Sequence, residues 1–430
     1  MKTNNENRFP AEMWDKMQFI LRNYYDGTMH TALYYDGELD VDILKNAYMY
    51  IIKTAKILRS TFHKSAIRSY WTVNEDYSPE DFFYYIETDK PEEELDKFIT
   101  QKIDEKSKIQ FKIALIRSNG KDILGYIVNH MCFDGGDLRY FYLTTAKLYN
   151  EYIQTGSFQT KIKDGSRSAM QVYDIFNEED RKKALKLNSN VSSVKNVATF
   201  PYTDATKEDR NRIVKEYIPK EEFLAFKAKG KENNASINDL FLTAYIRTIY
   251  EMCNMKESDP LNISCMCDLR RYMKDGQTYG MTNLTGFMPS SVQNIGNSFN
   301  ETLAVVCKDT QVQKEDKFLG LYSIPLLNLA FNTFIDSLAS FCIKLGYKNP
   351  IFSMSNIGII KPEQLIMGDK TLVDGWSTGA VKYKPYVQLA MTTFDNSVTM
   401  TIASRMNEKD AETAKKFLEL VHKNIIDYIK

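Results

Sequence analysis

Apolar residues recur at helical spacing in well separated segments of the chain. Over residues 41–58 they fall three and four positions apart, which predicts an amphipathic helix, and Asp40 stands before them as an N-cap. Another helix is predicted to begin after Ser236, which forms a variant capping box with Asp239. The clearest stripe runs over residues 411–428, so the chain is predicted to end in a helix.

Strand patterns and turn residues lie between these helices. Two hairpins are predicted: 111–117 with 122–130 around Asn119-Gly120, and 386–394 with 398–404 around Asp395-Asn396. Strand and helix patterns alternate along the chain, so we expect an α/β fold with mixed sheets. A polar, weakly periodic stretch from about 177 to 212 predicts a linker between two halves.

Composition narrows the class of protein. A chain of 430 residues with 43% hydrophobic side chains is too long for one ordinary core and suits two domains of roughly 200 residues. Lys and Arg number 56, as do Asp and Glu, so the charge does not indicate a nucleic-acid groove. Six cysteines without disulfide spacing, and a start that lacks a signal peptide, predict a cytoplasmic protein.

One uncharged stretch, 318–335, is long enough to raise the question of a membrane span. It contains Pro325, Asn328 and Asn332, which are costly in hydrocarbon. We therefore predict a buried or tunnel-lining helix there.

The segment with the clearest chemical signal follows the apolar strand that ends near residue 130. His130 lies at the end of that strand, and Asp134, Gly135 and Gly136 come directly after it. Histidine is the natural proton acceptor near neutral pH, and glycines permit positive φ angles and close backbone approach. On periodicity alone a buried, purely structural histidine is the alternative. Four histidines in the whole chain do not predict an imidazole metal site.

The run from His130 to Gly135 resembles the His-x-x-x-Asp-Gly motif of the chloramphenicol acetyltransferase-like superfamily. That group includes condensation domains of nonribosomal peptide synthetases, plant-type acyltransferases and alcohol O-acetyltransferases. Other segments resemble the family in chain order: 37–40, 57–62, 236–240, 268–270, 280–283 and 352–358. The resemblance therefore covers most of the chain.

The resemblance implies two acetyltransferase-like subdomains arranged in a V, each a mixed sheet flanked by helices, with an active-site tunnel between them. The expected boundaries are 1–180 for the subdomain with the histidine motif, 181–212 for the linker and 213–430 for the second subdomain.

It also implies roles for individual residues. His130 is expected to be the general base, with Asp134 and Gly135 structural beside it. Asp134 is expected to pair with Arg270. Arg271 is the alternative partner, and a simple helix cap is the alternative role for Asp134. Four further polar residues are expected in the tunnel or at the substrate: Asn129, Asn283, Ser355 and Asn356.

The expected activity is transfer of an acyl group from a thioester to an alcohol or amine. The donor is coenzyme A or a phosphopantetheine-linked carrier protein, and we expect no bound cofactor, metal, nucleic acid or membrane span. Asn129 stands where many relatives have a first histidine, which weakens the match to peptide-forming domains. No attached carrier or adenylation region is recognisable, so a free-standing protein is expected. The alternatives are amide formation in trans on carrier proteins and a non-catalytic binding role. Lys382 and Lys384 are expected on a solvated surface rather than at a coenzyme A phosphate.

Overall fold

Strands of the computed structural model, which describes residues 7–186 and 196–430, form three sheets. In chain order the strands are β1 (Arg8–Pro10), β2 (Tyr25–Asp26), β3 (Thr28–Tyr35), β4 (Ser60–His63), β5 (Tyr70–Val73), β6 (Phe83–Glu87), β7 (Phe111–Ser118), β8 (Lys121–Asn129), β9 (Arg210–Ile218), β10 (Leu261–Asp268), β11 (Thr285–Val292), β12 (Phe352–Ile360), β13 (Leu372–Thr378), β14 (Val381–Tyr383), β15 (Val387–Phe394) and β16 (Ser397–Met406). The helices are α1 (Met13–Leu21), α2 (Val41–Thr54), α3 (Pro91–Ile99), α4 (Gly135–Thr155), α5 (Glu178–Leu185), α6 (Lys220–Glu232), α7 (Ile237–Met252), α8 (Phe299–Lys314), α9 (Ile324–Thr333), α10 (Asp336–Gly346) and α11 (Glu408–Ile429). The alternation confirms the predicted α/β class with mixed sheets.

The predicted helices form, with small differences at their ends. In α2 the Asp40 carboxylate accepts hydrogen bonds from two backbone N–H groups of the first turn, as an N-cap does. The helix ends at Thr54, and a 3₁₀ turn over Lys56–Arg59 replaces the last predicted turn. The capping box of Ser236 and Asp239 opens α7.

Both predicted hairpins are confirmed, and their turn residues explain why. Asn119 and Gly120 between β7 and β8 have φ angles of 49° and 73°. Asp395 and Asn396 between β15 and β16 have φ angles of 39° and 63°. Asn, Asp and Gly adopt this left-handed region at the lowest cost, so the short turns can match the twist of their strands.

The first half of the chain builds a five-stranded sheet in the order β13-β3-β8-β7-β6. Strand β8 lies centrally, and its side chains are buried on both faces from Asp122 to Asn129. Helices α2 and α4 cover one face with a continuous apolar core, and α3 covers the other. A small sheet, β1-β5-β4, lies beside this core.

The second half builds the larger sheet, in the order β11-β10-β12-β15-β16-β14-β2, with β9 also paired to β16. Helices α6, α7, α8 and α11 pack on it around a second apolar core. Helix α11 contributes the stripe predicted at the chain's end, which includes the buried Ala414, Leu418, Val421 and Ile425.

Each half contributes a strand to the sheet of the other. Strand β13 pairs with β3 in the first sheet, where Gly375 lies opposite Leu33. Strand β2 pairs with β14 in the second sheet, where Asp26 lies opposite Val381. The division at 181–212 stays a prediction, and residues 187–195 of that linker lie outside the described part of the chain.

The prediction of one buried helix over 318–335 is wrong. The segment contains the short helix α9, and α10 follows after a break at Phe334 and Ile335. Large apolar side chains of the pair face outward: Leu329 is 61% and Phe341 60% exposed. Within residues 7–186 and 196–430, no helix is long and apolar enough to cross a membrane.

Candidate active site

His130 lies one residue beyond the central strand β8, where that strand leaves the sheet. Its backbone N–H donates to the Gly27 carbonyl oxygen at 2.7 Å, which continues the pairing between β8 and β3 by one residue. The side chain therefore leaves the sheet at a fixed point and direction. It enters a cavity of about 280 Å³ between the two halves of the molecule.

Both halves line that cavity. The first half contributes α1, β2, the start of β3 and the start of α4, including Gln18, Tyr25 and Arg139. The second half contributes the ends of β10, β12, β14 and β15, including Ser355 and Lys382. A molecule that reaches His130 must therefore contact residues far apart in the sequence.

The half-buried His130 is held by groups from both halves. The side-chain amide of Asn283 donates to the His130 carbonyl oxygen at 2.7 Å. The Gln18 amide nitrogen lies 3.5 Å from Nδ1 of the ring, and the Gln18 carbonyl oxygen accepts from the Tyr25 hydroxyl at 2.8 Å. These contacts restrain both the backbone and the ring of His130.

Burial lowers the pKa of His130 below its usual value, because the charged imidazolium is poorly solvated there. The nearby charge of Lys382 lowers the pKa further, while the Asp134 carboxylate opposes both effects. The ring is consequently neutral at pH 7, which is the form that accepts a proton.

Asp134 both caps a helix and pairs with an arginine. Its Oδ1 accepts from the backbone N–H of Gly136 at 3.0 Å, and so it caps α4. The guanidinium of Arg270 lies on the same carboxylate, with Nη2 2.9 Å from Oδ1. Arg270 is thus the partner among the two candidates, while Arg271 lies over the Tyr272 ring. Although burial alone would raise the pKa of Asp134, the Arg270 charge holds it below its usual range.

The two glycines of the motif have different surroundings. Neither has the positive φ that such glycines permit. A Cβ on Gly136 would lie 2.6 Å from Nη1 of Arg270, whereas one on Gly135 would meet nothing closer than Ile357 at 3.8 Å. The glycine at position 136 is therefore explained by the close approach of Arg270 and not by its backbone conformation.

With this geometry in place, comparison with known proteins identifies the family. A family model for condensation domains matches residues 21–259, more than half of the chain. The chain belongs to the condensation-domain family. No curated protein matches it significantly.

Solved structures share the fold of this condensation-domain protein along nearly its whole length. The epimerization domain from the third module of tyrocidine synthetase B has a TM-score of 0.69 at 14% identity, covering 98% of this chain and 96% of that chain. The first condensation domain of the CDA synthetase has a TM-score of 0.68 at 13% identity, with 99% and 98% covered. Trichothecene 15-O-acetyltransferase from Fusarium sporotrichioides has a TM-score of 0.70 at 11% identity, with 98% and 95% covered.

These likenesses confirm the chloramphenicol acetyltransferase-like fold with two subdomains. The family match supports acyl transfer or condensation as the general type of reaction.

The other predicted polar residues do not all reach the cavity of this condensation-domain protein. Asn283, Ser355 and Asn356 line it, and Asn356 also accepts from the Gly358 N–H at a bulge in β12. Asn129 is directed elsewhere: its amide nitrogen donates to Gln110 at 2.7 Å. Its amide oxygen accepts from the Met131 backbone, so Asn129 shapes the turn that carries the motif.

Cys132, inside the motif, is unsuited to act as a nucleophile. It is fully buried, and burial raises the pKa of its thiol far above neutral pH. Behind it, Arg167 forms a bidentate pair with Asp15 at 2.8 and 2.9 Å. A second ion pair therefore supports the motif from the side away from the cavity.

Lys382 has a place in the site that its sequence position did not indicate. It was expected on a solvated surface together with Lys384, yet Lys382 is 8% exposed and lines the cavity. Lys384 is a structural residue, since it is paired with Asp209 and Asp410. A signal for the burial of Lys382 was available in β14. Side chains alternate along a strand, so Lys382 points to the face opposite to that of its two neighbours.

Proposed function

We propose that the protein is an acyltransferase that moves an acyl group from a thioester to an alcohol or amine, with His130 as general base. The observation that carries the proposal is a neutral, positioned imidazole in a cavity lined by both halves. General-base catalysis needs a proton acceptor within hydrogen-bond reach of the attacking group and a pKa near or below the working pH.

In the proposed reaction, His130 takes the proton of the attacking hydroxyl or amine as its oxygen or nitrogen bonds to the thioester carbonyl carbon. The carbon–sulfur bond then breaks, and the imidazolium returns the proton to the departing thiolate. No covalent acyl-enzyme is needed. This agrees with the raised thiol pKa of Cys132 in the same motif.

The donor is proposed to be acyl-coenzyme A or an acyl group on a phosphopantetheinyl carrier protein, with no cofactor resident in the site. The second candidate function is amide formation on carrier proteins, which the condensation-domain match itself favours. Only the first candidate accepts a coenzyme A donor, so the two differ in whether acyl-coenzyme A supports turnover.

The test follows release of free thiol from a panel of acyl-coenzyme A thioesters and acyl carrier proteins, each offered with candidate alcohols and amines. We expect His130→Ala to reduce turnover about 10²–10⁴-fold while the protein remains folded. His63→Ala is the matched control, because His63 stacks on Tyr70 outside the cavity and should leave turnover unchanged.

Turnover with carrier proteins alone would favour the second candidate. Near wild-type turnover in His130→Ala would contradict the assignment of the base. Absence of thiol release with every donor would contradict acyl transfer from a thioester.

A further inference from the structure

The cavity contains a buried positive charge that the protein leaves unbalanced. Lys382 is 8% exposed on β14, and among the described residues it forms neither an ion pair nor a side-chain hydrogen bond. Its polar contact is with the face of Tyr25, whose ring centroid lies 4.2 Å from Nζ. Removing an ammonium group from water is costly unless a counter-charge is present.

Lys384, two residues further on, is a buried lysine with a structural role and serves as a comparison. Its side chain is 7% exposed, and two carboxylates, Asp209 and Asp410, contact it. Lys382 is comparably buried and has no carboxylate. The difference indicates that the partner of Lys382 comes from outside the chain.

The charges of the cavity point to the same conclusion. Asp134 is already neutralised by Arg270, and Asp268 contacts the same guanidinium at 3.2 Å. Arg139 and Lys382 line the cavity without a carboxylate partner among residues 7–186 and 196–430. Three basic residues (Arg139, Arg270 and Lys382) and two acidic residues (Asp134 and Asp268) therefore line the cavity, an excess of one positive charge in its lining.

A second buried polar group lies on the same wall. Gln388 is 7% exposed, lines the cavity and forms no side-chain hydrogen bond with a described residue. Its amide lies against Gly379, where a Cβ would come within 2.6 Å of the amide oxygen. A side chain at position 379 would collide with this amide, so the glycine gives Gln388 the room that it occupies.

We propose that Lys382 binds a carboxylate of the substrate, with the Gln388 amide as a further hydrogen-bond donor. The inference rests on the proposed acyl transfer and adds a substrate class to it: an acceptor or acyl group that bears a carboxylate. A carboxylate carries the single negative charge that Lys382 by itself can balance. Lys382 and His130 line the same cavity, so a carboxylate bound by Lys382 shares the cavity of the proposed base.

The experiment measures binary binding, which needs no turnover. Calorimetry compares matched pairs with and without a carboxylate: succinyl- and butyryl-coenzyme A as donors, β-alanine and propylamine as amine acceptors, and 3-hydroxypropionate and propanol as alcohols. The proteins are wild type, Lys382→Met, Lys382→Arg and Lys344→Met, the last an exposed lysine outside the cavity.

We expect the carboxylate member of at least one pair to bind wild type roughly 10–100-fold more tightly, as a charged hydrogen bond provides. The preference should disappear in Lys382→Met, persist in part in Lys382→Arg and remain whole in Lys344→Met. Preference in the coenzyme A pair assigns the carboxylate to the acyl group, and preference in an acceptor pair assigns it to the acceptor.

Two results would overturn the inference: no preference in any pair, or a preference that survives in Lys382→Met. Either result leaves acyl transfer untouched, because that is tested by thiol release. Conversely, a Lys382-dependent preference in a protein that releases no thiol would reject the proposed function and retain the carboxylate site.

Discussion

The burial of His130 has a consequence for the pH dependence of the proposed activity. Burial, aided by the charge of Lys382, lowers the pKa of the imidazole from its usual value of about 6.5. The neutral form is the proposed base, so activity is present above the pKa of the folded protein and is lost as pH falls through it.

We therefore predict that kcat/KM stays flat from neutral pH down past 6.5 and declines only in more acidic solution. The measurement is a pH profile of thiol release under subsaturating donor and acceptor, corrected for protein stability at each pH. An acidic limb centred above 6.5 would contradict the burial argument for His130.

The pair of Asp134 and Arg270 predicts a different outcome, in stability. Arg270→Ala leaves the buried Asp134 and Asp137 carboxylates without their guanidinium and should lower the free energy of unfolding by about 3–5 kcal/mol. Asp134→Ala should cost less, because Arg270 keeps Asp137 at 3.1 Å. The double variant should lose less than the sum, because the Asp134–Arg270 interaction is counted in both single losses. Denaturant titration of the four proteins gives the coupling energy, and additive losses would rule out the interaction.

At the scale of elements, the start of α4 is a joint between the two halves. The helix begins at Gly135 under the Asp134 cap, and Arg270, at the end of β10, reaches over its first turn. The backbone at Gly136 must come close to the guanidinium, so the helix start and the ion pair are built together.

This joint predicts unequal effects for two similar substitutions. Gly136→Ala introduces a Cβ 2.6 Å from Arg270 Nη1 and should cost about 1–3 kcal/mol by displacing the guanidinium. Gly135→Ala is the control: its Cβ meets nothing closer than 3.8 Å, so stability should hold or rise slightly. Thermal unfolding of both variants, repeated in an Arg270→Ala background, checks the cause. Gly136→Ala should be much less harmful there, and an unchanged penalty would locate the strain elsewhere.

The elements also show what the sequence could and could not predict. The hairpins, α7 and the position of His130 depend on neighbouring residues, so pattern and turn chemistry were sufficient to predict them. Asn129 was expected in the tunnel from the family resemblance, but consecutive residues of a strand face opposite sides, and its amide bonds to Gln110.

Properties that depend on distant segments could not be predicted in the same way. The environment of Lys382 is made by β2, β14 and β15, which meet only in the folded protein. The prediction for 318–335 was wrong for a related reason. The apolar composition of this stretch indicates a preference for burial, but it does not indicate which of its faces other segments cover. The outward faces of α9 and α10 are the result.

The whole molecule is tied together by more than the cavity. Strands β13 and β2 each lie in the sheet of the opposite half, and hydrogen bonds there belong to both units. A further tie lies at the start of α10, where the buried Asp336 of the second half accepts from Lys16 at 3.0 Å and from the Ser69 backbone N–H at 2.6 Å. Sheets that share strands in this way should lose structure together.

We therefore predict a single unfolding transition for the two halves, and Asp336 provides its sharpest test. In Asp336→Ala, Lys16 keeps a 10% exposed side chain without its carboxylate, and the Ser69 N–H loses its acceptor. Removing one partner of such a buried pair costs about 3–5 kcal/mol. Because the strands are exchanged, that loss should lower the melting temperature of the whole molecule.

Scanning calorimetry measures this directly, with the ratio of calorimetric to van't Hoff enthalpy expected near one in both proteins. The matched control is Asp395→Ala, whose exposed pair with Lys220 lies within the second half and should shift the transition little. Two resolved transitions, with only one of them displaced by Asp336→Ala, would show that the halves unfold independently. Such a result would mean that β2 and β13 can detach from the sheets they join while the rest of each half remains folded.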